Sequence, residues 1–259
     1  MSAIVIGLMN EKGGVGKSTI AINIQNVIAN MADENNQKMN LDVLLVDADD
    51  QETTIKATAS RSKLGGLKVK GKFEKFDAIE CVSKKVDLEN YVEIVKNRHD
   101  FIVIDTKGAD SESSREVISF ANIIVIPLSP YGFDKQSLAN TLENIKKAKK
   151  FNKDMLVLIV FNKVDKSATA KNREGREEVN ETIDSIFAVN GKTSADWGVF
   201  LCETELSYKP RFYSEMSKGL TVFEAAKGKS YDPKTEYDNF MNEIQNLYAQ
   251  VNSSNEVAA

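Results

Sequence analysis

An α/β fold, with a mainly parallel sheet doubly wound between helices on both faces, is predicted by three features of the sequence. Short runs rich in Val and Ile alternate with longer amphipathic stretches, which is the rhythm of βαβ units. Those runs are almost continuously apolar, as strands covered on both faces are. At 259 residues, 42% hydrophobic and 28% charged, the chain can bury a sizeable core in one large domain.

Taken in order, strands are expected at 3–9 (AIVIGLM), 43–47 (VLLVD), 101–105 (FIVID), 123–127 (IIVIP), 156–162 (LVLIVFN) and 199–203 (VFLCE). Apolar residues at helical spacing predict helices over 17–31, 88–97, 113–120, 135–151, 173–189 and 234–251. The polar stretch 32–40 and the basic, glycine-bearing 60–72 (SRSKLGGLKVKGK) interrupt the rhythm and read as surface loops. With no internal repeat or low-complexity linker, residues 1–251 read as one domain and 252–259 (NSSNEVAA) as a flexible tail.

Composition narrows the function classes. No apolar run approaches the ~18 residues of a membrane span, and the start MSAIVIGLMN has neither a charged leader nor a cleavage site. A cytoplasmic protein is expected. Cys81 and Cys202 are far apart and in no metal-ligand spacing, so they read as ordinary thiols of a reducing compartment. A net charge of −4 carries no global nucleic-acid signature; DNA binding would need a local basic patch.

The chemistry gathers at strand ends. NEKGGVGKST (10–19) follows the first strand and opens a helix at Lys17, the context that makes a glycine loop a phosphate site. Gly13, Gly14 and Gly16 allow consecutive N–H groups to approach phosphate oxygens, with Glu11, Lys12, Val15 and Thr19 completing the loop. Lys17 is expected to reach the β- and γ-phosphates and Ser18 to ligate Mg²⁺. Glu11 stands where a Walker A loop has its first glycine, and Lys12 adds a second lysine.

Asp47 and Asp49 close the second strand on one side of the extended chain, and Asp105 closes FIVID as a Walker B carboxylate would. Asp47 and Asp105 are expected to hold the metal through water, and Asp49 to orient the attacking water. Ligands in open α/β sheets sit outside these carboxyl ends.

KGGVGKST, VDADDQ, VIDTKG and VFNKVD, in this order, resemble the ParA/MinD family of deviant Walker ATPases, SIMIBI-like P-loop NTPases, over nearly the whole chain. The resemblance implies ATP and Mg²⁺ as cofactors and a homodimer in the ATP-bound state. Lys12 corresponds to the family's signature lysine, which crosses the dimer interface to the partner's nucleotide; Lys12, Lys17 and Asp49 would then carry catalysis. Asn162 matches an asparagine that reads adenine. Asp165 sits at the spacing of a GTPase NKxD motif, so this motif alone leaves the base open, and the deviant loop favours adenine. KPRFYSEMSKGLTVFEA (209–225) resembles the late family segment, in which Pro210 and Phe212 would pack on the base. The chain departs from the pattern at Asp50, where relatives carry proline, and at Thr106, Lys107 and Gly108 after the Walker B aspartate. Lys107 is expected to offset the extra acid.

Within the family the sequence resembles the shorter ParA-type partition ATPases that rely on a separate centromere-binding, ParB-type adaptor, because the loop begins by residue 10 and leaves no room for a preceding helix-turn-helix. The last helix has a mainly acidic or neutral polar face, so it reads as a core helix without membrane affinity. Candidate contacts to non-specific, nucleoid DNA are Lys166, Lys171, Arg173 and Arg176; Lys209, Arg211 and Lys218; Lys227 and Lys229; and KKAKK (146–150). The expectation is a weak Mg²⁺-dependent ATPase that segregates plasmid or chromosomal cargo. The alternatives are a MinD-like or protein-organelle positioning ATPase and a metabolic ATP-dependent ligase of the same fold.

Overall fold

The computed structural model describes residues 2–69, 72–108 and 111–258, excepting the side chains of 254–258. Its strands are β1 (Ile4–Leu8), β2 (Val43–Ala48), β3 (Gly66–Val69), β4 (Lys72–Lys75), β5 (Cys81–Ser83), β6 (Phe101–Thr106), β7 (Ile123–Leu128), β8 (Leu156–Val164) and β9 (Val199–Ser207). Seven of them form a parallel sheet in the order β5-β2-β6-β1-β7-β8-β9, and β3 and β4 form a separate antiparallel hairpin. The helices are α1 (Lys17–Ala29), α2 (Thr53–Leu64), α3 (Leu88–Val95), α4 (Glu112–Phe120), α5 (Lys135–Ala148), α6 (Thr169–Phe187), α7 (Pro210–Tyr213), α8 (Val222–Ala226) and α9 (Lys234–Ala258).

Each strand sends alternate residues into two different apolar layers, which is why the strands read as continuous hydrophobic runs. Val5, Ile102, Ile104, Val157 and Ile159 face one layer, closed by Leu88 and Val92 of α3, Val117 of α4, Leu142 of α5 and Val179 of α6. Ile6, Val103, Leu158 and Val160 face the other, closed by Ile20 and Ile24 of α1 and by Tyr237, Phe240 and Ile244 of α9. Full burial of such a side chain is worth about 1.5–3 kcal/mol. The apolar stripe of α9 is therefore spent on the sheet, and among the described residues no helix is long and apolar enough to cross a membrane.

All six expected strands form, and three departures have physical causes. Residues 60–69 and 72 do not form the expected loop: they end α2, form β3 and open β4. α2 escapes a hydrophobic-periodicity reading because its buried face is Thr54, Ala57, Thr58 and Arg61, at helical spacing but of polar or small type. β5 is only three residues long, at an edge of the sheet beside β2.

Candidate nucleotide site

Register assembles the site. Asp47 pairs with Asp105 across β2 and β6, while Asp105 pairs with Leu8 at the end of β1. The two carboxylates therefore stand side by side, next to the strand that feeds the glycine loop. The chain runs to one side of β1 through β2 and to the other through β7, so the loop lies at the topological switch where ligands bind.

The loop is held from below by a residue that patterns of charge and glycine did not reveal. Asn10, only 5% exposed, donates from Nδ2 to the Pro127 carbonyl at 2.7 Å and accepts the Lys12 N–H at 2.8 Å. A buried amide at a strand terminus was the available signal. Beyond it, a β-carbon added to Gly13 or Gly14 would meet nothing within 4 Å, so the crown of the loop is open. Gly16 then caps α1 at φ 100° with no side chain bonded to the helix start. The first N–H groups of α1 thus lack a side-chain acceptor, the condition under which a helix start receives an anion.

The two loop lysines diverge. Lys17 is half-buried and donates to the Asn10 carbonyl at 3.3 Å; burial lowers its pKa, opposed by the charges of Asp105 and Asp49. Lys12 is exposed, and its Nζ rests on the Gly132 carbonyl at 3.0 Å. A third lysine, Lys163, reaches back to the Gly14 carbonyl from a backbone at φ 60°.

Asp105 is fully buried. Its Oδ2 accepts the Thr54 hydroxyl at 2.8 Å, whereas Oδ1 has no partner. Burial pushes its pKa up to about 6, against the pull of the Ser18 and Thr54 hydroxyls. Asp47, also fully buried, accepts Asp49 N–H at 3.1 Å and Ile55 N–H at 2.9 Å, and so caps α2 from the neighbouring strand. Asp49 accepts Gln51 N–H at 3.0 Å. Asp50 and Lys107 form an exposed ion pair at 2.7 Å, as their charges predicted. The lysine's hydrogen bond and charge hold the Asp50 carboxyl below its usual range.

Asn162, 3% exposed, donates to the Val15 carbonyl at 2.8 Å, so its donor end is used by the loop. Asp165 lies beyond the end of β8, accepts both the Ser167 N–H and hydroxyl, and feels the charge of Lys209. That proximity brings the Pro210 turn beside the carboxyl end of β8. Phe212 stacks on Tyr231 at 5.4 Å between ring centroids.

The arrangement fits a magnesium-bound nucleoside triphosphate on three grounds: the unpartnered Asp105 oxygen, the uncapped start of α1 and the open crown over Gly13 and Gly14. Fold and site together define a P-loop protein with a deviant Walker loop.

The model of the family described as ATPase MipZ matches residues 3–150. The chain belongs to that family, within the ParA/MinD ATPases, and is thus a nucleotide-hydrolysing P-loop enzyme. It is 23% identical to the sporulation initiation inhibitor protein Soj of Bacillus subtilis over 85% of this chain and 94% of Soj. The fold is similar to that of the MinD cell division protein of Aquifex aeolicus, with a TM-score of 0.61 at 17% identity over 94% of this chain and 97% of MinD. It is also similar to pNOB8 ParA, solved bound to nonspecific DNA, with a TM-score of 0.53 at 15% identity over 97% and 99% of the two chains.

Proposed function

We propose that the protein is a ParA-type partition ATPase: a weak, Mg²⁺-dependent enzyme that pairs with a second copy on ATP, grips DNA without sequence preference, and is stimulated by a separate ParB-type adaptor carrying plasmid or chromosomal cargo. The observation that carries the reading is the divergence of the two loop lysines. Lys17 is folded into its own phosphate loop, whereas Lys12 lies outside it on a surface carbonyl, free to serve a nucleotide held by a facing copy. A cation supplied in trans stabilises charge on a transferring phosphoryl group. The pNOB8 relative, solved with nonspecific DNA, supports the choice of DNA as the gripped surface.

In this reading, bound magnesium and ATP supply an electrophilic phosphorus and the charge that polarises it. The loop from Glu11 to Thr19 would cradle phosphate through its N–H groups, Lys17 would neutralise it, and Ser18 would hold the metal, with Asp105 and Asp47 acting on it through water. Asp47 also fixes α2 through the Ile55 N–H, and Asp49 would orient the attacking water. Asn162, Pro210 and Phe212 shape the base side.

The test is mass by light scattering with Mg²⁺ and a non-hydrolysable ATP analogue. The wild type is expected to double its mass, and Lys12→Ala to stay single while still binding the analogue. A wild type that remains single, or a Lys12→Ala variant that pairs normally, overturns the reading.

A further inference from the structure

We propose that the β3–β4 hairpin and the facing α7–α8 segment form the groove that grips the DNA sugar–phosphate backbone; this rests on the DNA-binding reading above. Cross-strand partners share a face, so the pairings Lys68↔Phe73 and Gly66↔Lys75 place Lys68, Phe73 and Lys75 on one side of the hairpin. Phe73 is 63% exposed. Basic side chains clustered on one face are the electrostatic footprint of a nucleic-acid surface. On the hairpin's other side, Glu74 pairs with Lys227 and ties the hairpin to the turn after α8. Between them lies an open cavity of about 490 Å³ whose basic lining is Lys68, Arg211, Lys227 and Lys229. The two acids on its wall are already paired, Glu224 with Arg61 and Glu215 with Lys218.

Several of the basic residues elsewhere are compensated. Lys166 pairs with Glu236 at 2.8 Å, Arg173 with Glu177 at 3.9 Å, and Arg176 with Glu203 and Glu205 at 3.7 and 3.5 Å. Lys146 is drawn to the Ile186 carbonyl, and Lys149 is buried. Among the described residues no ion pair engages Lys68, Lys72, Lys75, Arg211 or Lys229. A second cavity, of about 700 Å³ beside β9 and α9, is walled by Glu203, Glu205, Glu236 and Glu243 and repels a polyanion. The net charge of −4 is thus compatible with a local basic groove, and the hairpin forms one wall of it.

The experiment is anisotropy of a labelled mixed-sequence duplex across a salt series, with Mg²⁺ and a non-hydrolysable ATP analogue, light scattering reporting pairing and thermal melting reporting the fold. Lys68→Glu/Lys229→Glu is expected to lose about tenfold in affinity and to flatten the log-salt slope by about two for each copy, with pairing unchanged. Lys72→Gln/Lys75→Gln, which adds no acid, should shift both readings in the same direction. Lys68→Arg/Lys229→Arg should keep wild-type binding, and Lys171→Glu on α6 should keep the wild-type slope. If both hairpin variants pair yet bind as the wild type does, the groove is overturned while DNA binding stands. If the paired wild type binds no duplex at any salt, or binds only anionic vesicles, both the groove and the DNA-binding reading fall.

Discussion

The side-chain amide of Asn162 fills the space that a β-carbon on Gly16 would need: the two would lie 2.3 Å apart, and the same amide donates to the Val15 carbonyl at 2.8 Å. The end of β8 is thus a buttress for the phosphate loop. Lys163 acts beside it on the Gly14 carbonyl, and Asn10 acts from below on the Pro127 carbonyl. Donors that draw loop carbonyls away from the crown favour N–H groups turned toward a ligand.

Asn162→Leu should therefore cost about 1–3 kcal/mol, the penalty for leaving the Val15 carbonyl buried without a donor. It should also raise KM for ATP more than it lowers kcat, because the loop is displaced and the carboxylates are not. Urea unfolding and steady-state kinetics check this. A variant with unchanged stability and KM would show that the contact is incidental.

Arg61 joins α2 to the late segment of the chain. Its guanidinium meets Glu224 at 2.6 and 2.7 Å and donates to the Asp77 and Gly219 carbonyls, with the Phe76 ring 4.5 Å away. Glu224 also closes the capping box of α8 with Thr221. Breaking one partner of a buried pair costs about 3–5 kcal/mol, so Arg61→Met should lower Tm strongly. Arg61→Lys should rescue little, since an ammonium cannot reproduce the two-pronged contact. The double variant Arg61→Met/Glu224→Gln should be less destabilised than the sum of its parts, as coupled sites are.

How much of this was legible in the sequence depends on the kind of signal each part carries. The six long strands were, because burial on both faces makes them apolar without interruption. Asp47, Asp105 and the glycine loop were too, since carboxylates and glycines at strand ends have few structural uses together. α2 was not: Thr54, Ala57, Thr58 and Arg61 bury a helical face through hydroxyls and a paired guanidinium, which hydropathy scores as polar. Asn10 and Lys163 were hidden for a related reason, as an amide or amine bonded to a distant carbonyl shows no periodicity. The hairpin from Gly66 to Lys75 alternates only Leu67, Val69 and Phe73 with charged residues, a run so short and so basic that it resembles a solvated loop.

Lys149 gives a pH-dependent prediction away from the nucleotide. It is 4% exposed, donates to the Met155 carbonyl, and burial lowers its pKa to about 8, with Asp154 opposing. Between that value and the ordinary lysine pKa the unfolded chain binds the extra proton, so stability should rise with pH through this window. Below pH 8 the full cost of the buried charge is present, of the order of 1–3 kcal/mol after discounting. The wild type should gain stability from pH 8 to pH 10 relative to Lys149→Met, in which the group is absent. Urea titrations of both proteins at the two pH values check this, and parallel curves would remove the idea.

The two loop lysines should separate cleanly in measurement. Lys17 stands among Asn10, Asp49 and Asp105, so its loss removes a cation from the chain's own phosphate site. Lys17→Ala should weaken nucleotide binding by about 1.5–3 kcal/mol, roughly tenfold to hundredfold, the worth of a hydrogen bond to a charged group. Lys12 is exposed and makes one surface contact, to Gly132, so Lys12→Ala should leave both the fold and the affinity of a single chain for nucleotide within about threefold. Its defect should appear in pairing and in turnover per site. Mixing the two variants supplies the decisive arm. In a pair with one copy of each, the Lys12→Ala copy keeps its own Lys17 and receives Lys12 from its partner, whereas the Lys17→Ala copy has neither, so one of the two sites is complete and mixing should restore part of the turnover. Mixed pairs that form yet show no recovery would mean that Lys12 acts on its own chain's nucleotide, because each copy would then lack one lysine at its own site.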